Sequence, residues 1–186
     1  MADIGGKKVI VLATHGFEQS ELEVPVEKLK QAGATVHVVA PEGGSIRGWD
    51  KKDWGREVAV DRTLDQVSAG DYDAIVLPGG QINPDVLRTK EEAVSLVRDM
   101  FEAEKVVGAI CHGPWLLVEA GIANGRDLTS YHSIRTDMIN AGANWSDKEV
   151  VVDEGLVTSR NPGDLDAFCA KLVEEIAEGR HLNRAA

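Results

Sequence analysis

The chain has 186 residues, 43% of them hydrophobic and 27% charged, a composition that suits one compact globular domain spanning 1–186 and excludes long disorder. Its formal charge of −11, spread along the sequence, argues against phosphate backbones and anionic membranes as partners. No apolar run approaches transmembrane length, and the N-terminal stretch lacks the apolar core of a signal peptide. Two cysteines, Cys111 and Cys169, lie far apart without metal-ligand or redox-motif spacing. The expectation is a cytoplasmic protein without metal or cofactor.

Val9 to Ala13 is a continuous run dominated by β-branched residues, which reads as a strand buried on both faces and therefore parallel to its neighbours. Leu22, Val26 and Leu29 follow at helical spacing, with Pro25 in the early turns and Gly33 at the end. Val36–Ala40, Ala74–Leu77 and Val106–Ile110 supply three more strands, with a helix over Glu91 to Ala103. This alternation is that of a βαβ sheet. Between Pro41 and Asp73 the pattern is irregular, with four glycines before a short hairpin strand at Glu57–Val60, and an excursion at one edge is expected. Helices are expected over Trp115–Ala123 and Ile134–Ala141, then a strand pair, Val150–Val152 and Leu156–Thr158. Asn161-Pro162-Gly163-Asp164 opens a last amphipathic helix running to about Glu178.

The chemistry gathers at strand ends, where an open α/β sheet binds its ligands. The fourth strand runs into Cys111-His112-Gly113-Pro114, a thiol on a strand-to-helix turn. A helix N-terminus behind such a turn favours the thiolate and so predicts a thiol that ionises readily. Leu77-Pro78-Gly79-Gly80 ends the third strand, and consecutive glycines free their N–H groups to serve as oxyanion donors. The loop after the first strand carries Glu18 and Glu21, either of which could hydrogen-bond the thiol or sit in solvent as a helix-start charge. His37, within a strand, and Cys169, on the apolar side of the last helix, read as structural.

Taken together, Phe17-Glu18-x-x-Glu21-Leu22 with Pro25, Leu-Pro-Gly-Gly, Ala-Ile-Cys-His-Gly-Pro, Thr129-Ser130-Tyr131 and Asp137 to Gly142 resemble the PfpI intracellular protease family. That family belongs to the glutamine-amidotransferase-like superfamily, which also holds the parkinsonism-associated deglycase and its stress-protein relatives. The resemblance covers Lys8 to Glu178 and implies a flavodoxin-like three-layer sandwich with a mostly parallel central sheet. It implies Cys111 as nucleophile, oxyanion donors from Gly79, Gly80 and the His112 backbone, and Glu21, ahead of Glu18, on the thiol. It further implies a homodimer or larger homo-oligomer in which Asp85 of one copy faces His112 of another. Asp85 is one methylene shorter than the family's glutamate and its loop looks longer, so an impaired triad is expected.

Tyr131 matches a pocket-lining position, whereas His132 stands where proline is common in the protease-like branch and is either a substrate contact or a surface histidine. Trp115 is either a pocket wall or core. A glutamine amidotransferase is set aside, because no His-x-Glu appears near Arg160-Asn161-Pro162. Two functions then stand. One is a stress-related, cysteine-dependent hydrolase of weak turnover, acting on a peptide or on a small carbonyl as a deglycase or glyoxalase. The other is a non-enzymatic redox sensor that works through oxidation of Cys111.

Overall fold

The computed structural model describes residues 2–179. Along the chain run β1 (Lys8–Leu12), α1 (Gln19–Gln31), β2 (Thr35–Ala40), β3 (Ser45–Asp50), β4 (Asp53–Ala59), β5 (Arg62–Thr63), β6 (Ala74–Leu77), α2 (Ile82–Leu87), α3 (Glu91–Glu102), β7 (Val106–Ile110) and α4 (Trp115–Glu119). They are followed by β8 (Asp127–Leu128), α5 (Arg135–Asn140), β9 (Asn144–Trp145), β10 (Val150–Asp153), β11 (Leu156–Ser159) and α6 (Leu165–Glu178). Seven strands form one sheet in the order β10-β11-β7-β6-β1-β2-β5, parallel except for the β10–β11 hairpin.

The strands are buried on both faces, as their unbroken apolar runs require, and alternate residues feed two cores. Val9, Val11, Val76 and Val157 pack on one side with Leu22 and Leu29 of α1 and Phe168 and Leu172 of α6. Ile10, Leu12, Ile75, Leu77 and Val107 pack on the other with Val97 and Met100 of α3 and Leu116 of α4. The result is the expected flavodoxin-like three-layer sandwich. No helix among the described residues is long and apolar enough to cross a membrane.

Register sets the site. Val11 pairs with both Val38 and Val76, and Leu77 with Ala109, so β1, β6 and β7 end at one sheet edge. Successive connections leave β1 in opposite directions, to β2 on one side and β6 on the other, which opens a crevice above the carboxyl ends.

Three elements differ from their sequence expectation. The hairpin expected at Glu57–Val60 begins earlier, because β3 and β4 pair from Ser45↔Ala59 to Asp50↔Asp53 around a two-residue turn. α4 stops at Glu119 rather than Ala123, since Gly121 takes a left-handed φ of 75° and the chain turns there. Asn161 caps a 3₁₀ turn over Pro162–Asp164, and α6 itself starts only at Leu165. Phe168 is 0% exposed between α6 and the sheet, so Phe168→Ala should cost about 3–5 kcal/mol in urea unfolding without moving the sheet edge. A loss below about 1 kcal/mol would mean that this layer is not close-packed.

Candidate active site at the β7–α4 turn

Cys111 is the residue after β7 and takes φ = 63°, a left-handed conformation that an L-residue holds only when its surroundings impose it. They do so on both sides. Its N–H donates to Ser159 O at 3.1 Å on β11, its carbonyl accepts from Tyr131 N at 2.8 Å, and Gly113 N closes the turn onto Ile110 O at 2.9 Å. Gly113 has no room for a side chain, because a Cβ there would lie 2.4 Å from Leu77 O. The thiol is 6% exposed and borders a cavity of about 490 Å³ at the crevice. A cavity of similar size lined by Arg98 and Arg126 contains none of these groups.

Glu21, in the first turn of α1, is 0% exposed. Its Oε2 accepts the Gly79 N–H at 2.8 Å beside the Cys111 thiol, and Oε1 has no hydrogen-bond partner. Burial raises its pKa from 4.5 to about 8, reinforced by the charge of Glu18 and opposed by the Gly79 N–H and the thiol. Glu21 is therefore a protonated acid at neutral pH. The Cys111 thiol is pushed well above the ordinary range, by burial first and the Glu21 charge second, while the N–H groups of Gly80 and His112 on the sulfur pull the other way. The readily ionised thiol expected from the sequence is corrected here. α4 has only five residues and begins four positions beyond Cys111, too short and distant a dipole to offset the desolvation of the sulfur.

His112 places Nδ1 3.2 Å from the Cys111 sulfur and Nε2 3.2 Å from Ser133 Oγ. Its ring stacks on Tyr131, with centroids 4.9 Å apart, and meets the edge of Trp115 at 5.1 Å. Burial and the nearby His132 lower its pKa to about 4, against the pull of Asp137, so the imidazole is neutral at neutral pH. With Nε2–H donating to Ser133, Nδ1 is left to accept from the thiol.

The other sequence candidates sort by position. Glu18 borders the same cavity but binds Ser20 Oγ at 3.2 Å, so Glu21 is the carboxyl on the thiol. The Gly79 N–H is spent on Glu21, and a Cβ there would lie 2.6 Å from both Cys111 Cβ and Glu21 Oε2; Gly79 gives close approach and is not a free oxyanion donor. The N–H groups of Gly80 (φ 76°) and His112 face the sulfur instead. Tyr131 lines the cavity, whereas His132 is exposed beside it. Trp115 is not a cavity wall: half-buried against the second core, it sits between His112 and the Arg88 guanidinium, with its Nε1 on Asp137 Oδ2 at 2.8 Å. Asp85 is exposed on α2 and makes no contact with His112 of the same chain. Sequence reasoning missed Ser133, whose only signal is a small hydroxyl two residues after Tyr131. It also missed Trp49 and Lys51, which the β3–β4 hairpin carries to the cavity.

Two measurements follow from this geometry. The folded state holds the Glu21 proton more tightly than the unfolded chain, so the stability it brings is whole below about pH 4.5 and lost as pH rises through about 8. Glu21→Gln copies the neutral acid. Its melting temperature should rise relative to wild type from about pH 5 to about pH 9, and a constant difference would contradict the assignment. Brief iodoacetamide treatment should modify Cys111 before Cys169, because Cys169 is 3% exposed in the core beneath α6, its thiol raised by burial to about 12, whereas Cys111 opens on the cavity. Peptide mapping that finds Cys169 modified first would overturn this.

With this geometry in place, comparison with known proteins is direct. The DJ-1/PfpI family model matches residues 7–175. Deglycase PfpI of Pyrococcus furiosus is 46% identical over 167 residues, covering 90% of this chain and 98% of that one. General stress protein 18 of Bacillus subtilis is 45% identical over 165 residues, covering 88% and 94%. Among solved structures, a two-domain protein of Anabaena variabilis containing DJ-1/ThiJ/PfpI-like and ferritin-like domains superimposes with a TM-score of 0.87 at 35% identity, over 97% of this chain and 52% of that one. The chain belongs to the DJ-1/PfpI family.

Proposed function

We propose that Cys111 carries out slow, cysteine-dependent chemistry on reactive carbonyls, of the deglycase or glyoxalase kind, rather than efficient proteolysis. The observation that carries this reading is the fully buried Glu21 carboxyl, held on the Gly79 N–H next to Cys111 at the wall of one cavity. In the first step the sulfur attacks an aldehyde carbon, a C–S bond forms, and the carbonyl π pair moves to oxygen. Glu21 supplies the proton that oxygen takes, the thiol proton passes to His112 Nδ1, and the product is a hemithioacetal. The Gly80 and His112 N–H groups are the donors for the developing oxyanion. With a 2-oxoaldehyde, moving the carbinol C–H proton to the adjacent carbon and the hydroxyl proton to the ketone oxygen gives a 2-hydroxy thioester. Water then releases the 2-hydroxy acid and the thiol.

Peptide cleavage asks for more. The imidazole must be oriented by an acid, and loss of that acid costs about 10⁴ in turnover in a serine-type triad. Within the protomer Nε2 meets a serine hydroxyl instead. Self-association that sets Asp85 of a second copy against His112 belongs to this reading, as do a cytoplasmic location and a single domain over 1–186. The name of the Pyrococcus furiosus relative, a deglycase, favours the carbonyl branch.

A second reading is a redox sensor. Its support is the unpartnered Oε1 of the Glu21 carboxyl, which lines the same cavity as Cys111 and could bond a sulfinic acid after peroxide has oxidised the thiol. Turnover separates the two. Wild type should consume methylglyoxal or a glycated amino acid catalytically, Cys111→Ala should fall to background, and Glu21→Gln should lose about 10²-fold. Methylglyoxal consumption left intact in Cys111→Ala, or peptide hydrolysis at ordinary enzyme rates, would defeat the proposal; stoichiometric peroxide oxidation without any turnover would favour the sensor.

A further inference from the structure

The cavity above Cys111 has one wall that the chemistry so far does not use. β3 and β4 form a hairpin whose strand β3 is bonded to the loop after β1, through Gly16 N to Arg47 O at 2.8 Å and Trp49 N to Phe17 O at 2.7 Å. Its second strand is tied to α1, where Gln19 Oε1 accepts from Arg56 N at 2.8 Å and Glu23 pairs with the Arg56 guanidinium. The hairpin is therefore fixed to the elements that hold Glu18 and Glu21. Its tip, Lys51-Lys52, puts Lys51 at φ = 57°, a turn position that favours glycine, and Trp49 Nε1 donates to the Lys51 carbonyl at 3.2 Å. A lysine accepted at that conformational cost borders the cavity beside Trp49.

Lys51 forms no ion pair within 4.0 Å among the described residues, although its charge is felt at Glu18. In a chain of net charge −11 it is the cationic side chain that borders this cavity, whose other ionisable side chains are Glu18, Glu21, His112, Tyr131 and the thiol. Glu21 and His112 are neutral at neutral pH. Glu18 and Asp50 stand near enough to influence one another, so a dianion such as phosphate is disfavoured there about twice as strongly as a monoanion.

We infer that Lys51 is an anion-recognition residue that draws a carboxylate-bearing carbonyl compound, a 2-oxo acid or the adduct of a carbonyl with a free amino acid, to the Cys111 thiol. This deepens the proposed function and rests on Cys111 as the reacting group. The pairing is that of a single ammonium with a single carboxylate. Trp49 and Tyr131 supply flat walls for the uncharged part of the ligand.

The test uses the full chain and two reagents that differ in charge. Iodoacetate and iodoacetamide both alkylate the thiol: the C–S bond forms, iodide leaves, and the thiol proton goes to solvent. Only iodoacetate brings a carboxylate. Lys51→Met should slow iodoacetate at Cys111 by about three- to tenfold and leave iodoacetamide within about twofold of wild type. Lys51→Arg should keep the wild-type ratio, Lys51→Gly, which relaxes the turn, should behave as Lys51→Met, and Lys52→Met should change neither rate. The iodoacetate advantage should also shrink as salt is added. Equal slowing of both reagents, no slowing of either, or the same loss in Lys52→Met would overturn the inference. Because alkylation needs no turnover, failure of the carbonyl chemistry would leave this result readable, and failure here would leave Cys111-dependent turnover standing.

Discussion

The site depends on one buried contact, the Glu21 carboxyl held between the Gly79 N–H and the Cys111 sulfur. A carboxyl with 0% exposure cannot keep a charge cheaply, so it keeps a proton instead. That proton decides the character of the thiol next to it. A charged Glu21 would repel a thiolate and, with burial, holds the thiol above the ordinary range, whereas a neutral Glu21 removes that repulsion. His112, driven neutral by the same burial, accepts from the thiol without adding a charge of its own.

The fold supplies the confinement that this contact needs. Glu21 comes from the helix after β1, Gly79 from the end of β6 and Cys111 from the end of β7, three neighbouring strands whose registers bring them to a common edge. A side chain at Gly79 would separate the acid from the thiol, and one at Gly113 would push the turn off Leu77. Tyr131 N and Ser159 O then clamp Cys111 in its left-handed conformation. The strain at the cysteine is thus carried by backbone hydrogen bonds from two separate segments, a cost of about 1–3 kcal/mol that the sheet can bear.

Much of this was legible in the sequence, and the boundary is physical. The strand runs declared themselves because a strand buried on both faces tolerates little but apolar residues, and the helix α3 because its period is long and clean. Cys111, Gly80 and Glu21 were legible because close approach and left-handed turns restrict residue choice locally. The ionisation state of the thiol was not, since desolvation depends on what packs around a group and not on its neighbours in the chain. Nor were Ser133, Lys51 and the spent N–H of Gly79: each acquires its role from a contact between segments far apart in sequence, such as Gly79 with Glu21. The short strands β5, β8 and β9 escaped because two residues carry no periodicity.

The protonation of Glu21 can be observed without any assay of function. Infrared difference spectra of wild type against Glu21→Gln, recorded from about pH 5 to about pH 10, isolate the C=O stretch of this one carboxyl. The account predicts a protonated-acid band that persists at pH 7 and gives way to a carboxylate band near pH 8. A carboxylate band already complete at about pH 6 would contradict it, because a charged Glu21 could not donate a proton to the sulfur beside it.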